Sequence, residues 1–163
     1  MDRPLLILVD TNVWIDNYVP VREGSAHSQE FIVAALSAGA NLLYPVHALK
    51  DVFYNIGATI KHIRRSEGAQ LSQDDALAIQ EIAWACVNNL CELATAAPAD
   101  EADAWLARKY RSVSSDLEDN FVMVAAERIH ADLLVTRDEG LLRACTVAAL
   151  SPEDAMGFLA ARG

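Results

Sequence analysis

Four aspartates stand where this chain passes from one regular element to the next, and carboxylates so placed are suited to holding a hard divalent cation. Asp10 follows the apolar run Leu5 to Val9, and Asp138 follows the run Leu133-Leu134-Val135-Thr136. Asp116 and Asp119 are three apart at the start of a helical stretch, so they share one side of it while Glu118 is expected to point elsewhere. Gathered without a counter-ion, such groups repel: unit charges 4 Å apart cost about 4 kcal/mol at an intermediate effective dielectric. Magnesium or manganese removes that cost through carboxylate and water oxygens, with no need of histidine or cysteine. Each aspartate also has a local explanation. Asp10 suits a turn, Asp116 an N-cap with Asp119 as its dipole partner, and Asp138 a cap on the turn opening at Glu139. Three capping residues need not fall on one edge of one sheet, and that coincidence favours a shared site.

The elements that would carry them alternate. Leu5 to Val9 reads as a buried parallel strand, 28–37 as a helix stopped at Gly39, and 41–44 as a second strand. A long helix opens at Pro45, with Leu49, Val52, Phe53, Ile56, Ile60 and Ile63 as its apolar stripe. After a loop at 66–72, Ser72 and Asp75 form a capping-box variant that starts a helix running to about Leu90. A weak strand at 92–96, a helix at 98–110, a loop at 111–115 and a helix at 117–130 follow. The strand ending at Thr136, a helical turn at 139–144, an edge strand at 146–148 and a helix opening at Ser151-Pro152 complete the chain. This order predicts one α/β domain over residues 1–163, a three-layer α/β/α sandwich on a mainly parallel sheet. Ligands in such sheets bind beyond the carboxyl ends of the strands, where Asp10 and Asp138 stand.

At 163 residues and 53% hydrophobic composition the chain is long enough for one core. No apolar stretch approaches the roughly 20 residues of a spanning helix, and a cytoplasmic protein is expected. Cys86, Cys91 and Cys145 form no even framework and are read as buried small apolar residues. His27, His47, His62 and His130 show no ligand spacing, so no zinc site is expected. A net charge of −10 repels phosphate backbones and argues against a DNA-coating role. A nuclease remains compatible with it, because a metal supplies positive charge where the phosphate sits, and the acidic surface suits a basic partner. Positive charge concentrates only at Lys61, Arg64 and Arg65 and at Arg108, Lys109 and Arg111. These are candidates for RNA contact, although cations also favour helix carboxyl ends. Trp84 and Trp105 are read as packing, and Trp14 as core or as a base-stacking residue beside the site.

Leu6 to Asp16 (LILVDTNVWID) and Asp116 to Asp138 (DLEDNFVMVAAERIHADLLVTRD) together resemble the PIN-domain family. The likeness lies in D-T-N after the first strand, an E-D-centred helix, and T-R-D with its threonine about 17 residues after that helix's aspartate. The D-x-E-D motif and the tail Leu150-Ser151-Pro152-Glu153-Asp154 resemble a subgroup of VapC-type toxins; residues 66–115 match only in the order of elements. The resemblance implies a flavodoxin-like sandwich and Mg2+- or Mn2+-dependent hydrolysis of RNA, with an antitoxin or other small protein and a second copy of the chain as partners. It implies Asp10, Asp119 and Asp138 as metal ligands. Asp51 stands where many relatives carry glutamate, one methylene shorter, preceded by Lys50 and opposite the apolar stripe, so a solvated helix residue is an equal reading. Asp116 would orient waters or move a proton, and Thr11, Asn12, Ser115 and Thr136 would orient the carboxylates. The alternative is a catalytically weak PIN-like interaction module. An aspartyl-phosphate phosphatase is disfavoured, since D-T-N-V-W replaces D-x-D-x-T and no well-placed lysine follows the late strand.

Overall fold

Strand β1 (Leu6–Val9) is buried on both faces: Ile7 and Val9 turn into one core cluster, Leu8 into another. That alternation divides the molecule, since successive strand side chains point to opposite sides of a sheet. The same division recurs in β4 (Leu133–Val135), whose Leu133 and Val135 join the first cluster and Leu134 the second. The computed structural model describes residues 3–162, so residues 1, 2 and 163 of the expected domain lie outside it. Five parallel strands form its sheet in the order β3-β2-β1-β4-β5, with β2 at Asn41–Pro45, β3 at Thr95–Ala97 and β5 at Ala149–Leu150. On the first face pack α1 (Thr11–Tyr18), α2 (Ser25–Ser37), α3 (Ala48–Ser66), α4 (Gln73–Leu93) and α8 (Pro152–Ala160). The second face carries α5 (Glu101–Lys109), α6 (Leu117–Arg128) and α7 (Glu139–Ala144). This is the three-layer sandwich that the alternation of elements implies.

Several boundaries move, each for a local reason. Helix α1 was not expected, because Thr11, Asn12, Val13 and Ile15 are modest helix formers. Tertiary burial of Thr11, Val13, Trp14, Ile15 and Asp16 holds it, and Asp10 caps it by accepting from Thr11 N. Pro45 ends β2 instead of opening α3, and α4 runs on to Leu93, so β3 begins only at Thr95. The edge strand lies at Ala149–Leu150 rather than 146–148. The Ser72–Asp75 capping box forms in both directions, as read.

Two readings of small and aromatic residues are corrected. Cys91 is exposed and Cys86 and Cys145 are only half-buried, all three as free thiols. Trp84 and Trp105 are 48% and 56% exposed, because helical spacing cannot tell a face turned to the sheet from one left at a helix pair's outer side. Trp84 instead packs at 5.0 Å between ring centres against Phe53 of α3. Trp14 is core, its indole N–H donating to Val9 O at 3.1 Å. Among the described residues no helix is long and apolar enough to cross a membrane.

Candidate active site

Asp10 leaves the end of β1 with its backbone N–H bonded to Val135 O of β4 at 2.9 Å, so the neighbouring strand sets its position. Three donors orient its carboxylate. Thr11 N donates to Oδ1 at 2.7 Å, and Thr136 Oγ1 and Asn12 Nδ2 donate to Oδ2 at 2.7 and 3.0 Å. Thr136 Oγ1 also accepts from Asp138 N at 3.0 Å, and Asn12 Oδ1 accepts from Arg137 N at 3.2 Å, which ties the T-R-D turn to the D-T-N turn. Despite these donors, burial pushes the Asp10 carboxyl up to about 6, and the charges of Glu118 and Asp119 push the same way.

The start of α6 supplies the next carboxylates. Asp116 is its N-cap, accepting from Glu118 N at 2.8 Å and Asp119 N at 3.4 Å. Asp119 accepts from Ser114 Oγ at 3.1 Å. Ser114, not the expected Ser115, is the orienting hydroxyl. Its carbonyl accepts from Asn120 Nδ2 and its Oγ from Asp116 N, which folds it over the helix start, while Ser115 is exposed in a groove beside Trp105. The Asp119 carboxyl lies above its ordinary range through burial first and the nearby Asp138 charge second. Asp138 in turn caps α7, accepting from Leu141 N at 2.9 Å.

Asp51 is brought in as well. Although it lies off the apolar stripe, α3 begins at the carboxyl edge of the sheet, and there its polar side faces the cleft rather than solvent. Its side chain is 19% exposed and pairs with Lys50 at 2.8 Å. Asp10, Asp51, Asp116, Asp119 and Asp138 line one cleft of about 380 Å³, with Thr11 and Asn12 in its wall. Glu118, expected to point away, lines it too, because the first turn of a helix that meets the sheet edge end-on presents more than one side to the cleft. Glu118, Asp51 and His47 each offer a ligand atom within 4.8 Å of the others, a cluster that histidine spacing alone did not reveal. Burial lowers the His47 imidazole from its ordinary value, against the pull of the Glu118 and Asp51 charges.

Gly140 shows how near the last two acids are. A β-carbon there would stand 2.9 Å from Asp138 Oδ1 and 3.8 Å from Asp119 Oδ2. Gly140→Ala is therefore expected to displace the Asp138 carboxylate while α7 still forms. A metal titration followed by melting temperature should show affinity falling about tenfold, as for loss of an orienting contact. An unchanged affinity would mean that Asp138 does not take part.

The two basic segments are separated by the fold. Arg64 and Arg65 lie roughly 20 Å beyond Asp51 along α3, at the opposite edge of the sheet, and Arg64 pairs with Asp75 at 3.3 Å. Lys61 lines a depression between α3 and α4, also remote from the acids. Arg108, Lys109 and Arg111 border the groove next to α6.

Asp16 was quoted in the opening motif without a role. It is 2% exposed, holds Arg22, and lies 2.7 Å from Arg137 Nε. Arg137 also reaches Glu153 at 3.1 Å and donates to Gly24 O at 3.0 Å, so this charge cluster, partly exposed around the buried Asp16, braces the turn between Thr136 and Asp138. The available signal was Arg137 itself, a cation between two residues of the site.

The molecule is a parallel α/β/α sandwich with acids from four segments at the carboxyl edge of its sheet, where such folds bind their ligands. A family model for the PIN domain matches residues 6–140, from β1 into α7, and the chain belongs to the PIN-domain family, whose members are generally metal-dependent nucleases. No curated protein matches it in sequence.

Proposed function

We propose that the protein is a Mg2+- or Mn2+-dependent ribonuclease, hydrolysing RNA phosphodiester bonds at the cleft that Asp10, Asp51, Asp119 and Asp138 line. One observation carries this reading: carboxylates from four separate segments share one cleft, with Asp10 raised by burial and by the Glu118 and Asp119 charges, and Asp119 raised by burial and by the Asp138 charge. The donor set fits a hard divalent cation. It is oxygen throughout, and the buried Thr11 Oγ1 in the wall has no hydrogen-bond partner. A cation held there would supply activation of water for in-line attack and stabilisation of the charge developing on the phosphate.

Asp10, Asp119 and Asp138 are the ligands in this reading. Ser114 engages Oδ2 of Asp119, and Leu141 N engages Oδ1 of Asp138, which leaves one oxygen of each for the cation. Asp51, neutralised in part by Lys50, completes the acidic wall. Asp116 spends Oδ1 on capping α6 and keeps Oδ2 for orienting water. Thr136 and Asn12 hold Asp10 so that no rotamer search precedes binding.

The test is cleavage of a labelled RNA with Mg2+, with Mn2+ and with EDTA, comparing the unaltered chain with Asp119→Asn. Loss of groups that merely orient ligands costs 10- to 100-fold, so removal of a ligand is expected to cost at least about a hundredfold. Cleavage that persists in EDTA, or is equal in the variant, would overturn the reading. An interaction module would show no metal-dependent cleavage in either chain.

A further inference from the structure

Beside the acidic cleft lies an apolar pocket of about 430 Å³, within the roughly 300–1,000 Å³ range of small-molecule sites. The two share Asp51 and Glu118 as a common wall. Pro45, Val46, Pro98 and Phe121 line its apolar part. Lys50, Asp51, Asp103 and Glu118 give it a charged rim, and among its polar atoms His47 Nε2 is buried, has no hydrogen-bond partner, and lies 3.8 Å from Glu118 Oε1, beyond hydrogen-bond reach. On the far side Leu117 separates this pocket from the groove of Trp105, Arg108, Lys109 and Arg111, about 450 Å³ in volume.

That groove is unusual in a chain of net charge −10. Among the described residues Arg108, Lys109 and Arg111 enter no ion pair, although acids outnumber bases 23 to 13 in the chain. Trp105 is more than half exposed, and Lys109 Nζ stands 5.2 Å from its ring centre. A free cation cluster around an open indole, continuous with an apolar pocket and then with an acidic cleft, alternates in the way a nucleic-acid strand alternates phosphate and base.

We propose that the three depressions form one track for single-stranded RNA: the base next to the reacting phosphate enters the pocket at His47 and Phe121, and the strand continues over Trp105, Lys109 and Arg111. This rests on the ribonuclease reading and adds to it the route the strand takes across this chain's surface. The strand must be unpaired there, because a base can enter a lined pocket only with its Watson–Crick edge free, and an indole can stack only on a base out of its helix. The neutral His47 imidazole finds in the base edge the partner the protein does not give it. Arg108 and Arg111 supply positive potential next to the cleft, where Lys61, Arg64 and Arg65 do not reach.

The experiment uses the full chain carrying Asp119→Asn, which prevents turnover and lessens the charge of the cleft. An eight-nucleotide fluorescent RNA and a duplex of the same sequence are titrated at several salt concentrations, with tryptophan emission followed in parallel. The single strand is expected to bind at least tenfold more tightly than the duplex and to quench emission. Trp105→Ala should abolish most of the quenching and weaken binding about tenfold. Ala99→Trp, at an exposed position on the pocket rim, should block the base and weaken binding similarly without lowering the melting temperature. Arg111→Ala should reduce the salt slope by about 0.7, the value for one single-strand phosphate contact. Equal affinity for duplex and single strand, or no change beyond twofold in both Trp105→Ala and Ala99→Trp, would overturn the track. Should the chain without the Asp119 substitution cleave RNA while these variants bind it normally, the track falls and the nuclease stands. Should it cleave nothing while the binding results hold, the nuclease reading falls and the track stands.

Discussion

Asp10→Asn is expected to remove metal-dependent cleavage, by about a thousandfold or more, and at the same time to make the metal-free protein more stable at pH 8. In the proposed ribonuclease the first effect follows from taking away a buried carboxylate whose oxygens are aimed by three donors. The second follows from its raised carboxyl, which titrates at about 6 against 3.8 when unperturbed. A carboxyl raised in the folded state contributes stability that is fully present below the unfolded value and is lost as pH climbs through the folded one. Above pH 6 the ionised group therefore costs the metal-free fold roughly 3 kcal/mol, at 1.36 kcal/mol for each unit. Asparagine carries no charge at any of these pH values and still offers an oxygen to Thr11 N. In EDTA the variant should melt several degrees above the unaltered chain at pH 8, with the gap closing towards pH 4. A variant that melts lower at pH 8 would show that the carboxylate is not strained. Metal affinity of the unaltered chain should rise from pH 5 to pH 7, since the cation and the proton compete for Asp10.

The second large effect concerns Arg137→Met, which keeps the aliphatic stem and deletes the guanidinium. Asp16, 2% exposed, would be left with Arg22 alone, Glu153 with His27 alone, and Gly24 O with Ser28 N alone. Breaking one side of a buried ion pair costs about 3–5 kcal/mol, because the stranded charge keeps its desolvation penalty. For a chain of this size that is a fall of about 10 °C in melting temperature. The neighbourhood has no slack to absorb the change: a β-carbon on Gly24 would overlap both Asp16 Oδ2 and the Arg137 guanidinium. Thermal or urea unfolding measures the loss. A cost below 1 kcal/mol would make the cluster equivalent to a surface pair.

The carboxyl-edge acids were legible because strand-end aspartates have a fixed geometric meaning in a parallel sheet. Asp10 and Asp138 follow continuous apolar runs, and their three-layer setting follows from the alternation of those runs with helices. What stayed hidden depended on how a helix meets the sheet. Glu118 and Asp51 sit in first turns that reach the cleft end-on, where the periodicity that separates buried from exposed faces along a helix no longer applies. Ser114 replaced Ser115 because a one-residue difference in a turn is decided by its hydrogen bonds, here those of Asn120 and Asp116. Helix α1 was missed because its propensity is weak and its support is tertiary. Trp105 was misplaced for the converse reason: its spacing suits a core that α5 does not extend to cover.

The hydrogen bond from Thr136 to Asp10 joins residues 126 apart in the chain. Strand β1 sits at the centre of the sheet, so its neighbour β4 can dock only after the long stretch of chain between them has been made. Until then the chain carries the Asp10 carboxylate without the segment that aims it, and without Asp119 and Asp138 beside it. Contacts of such long sequence separation form late in folding. The acidic cleft is thus a late product of folding, and a chain in which β4 has yet to dock holds its carboxylates apart.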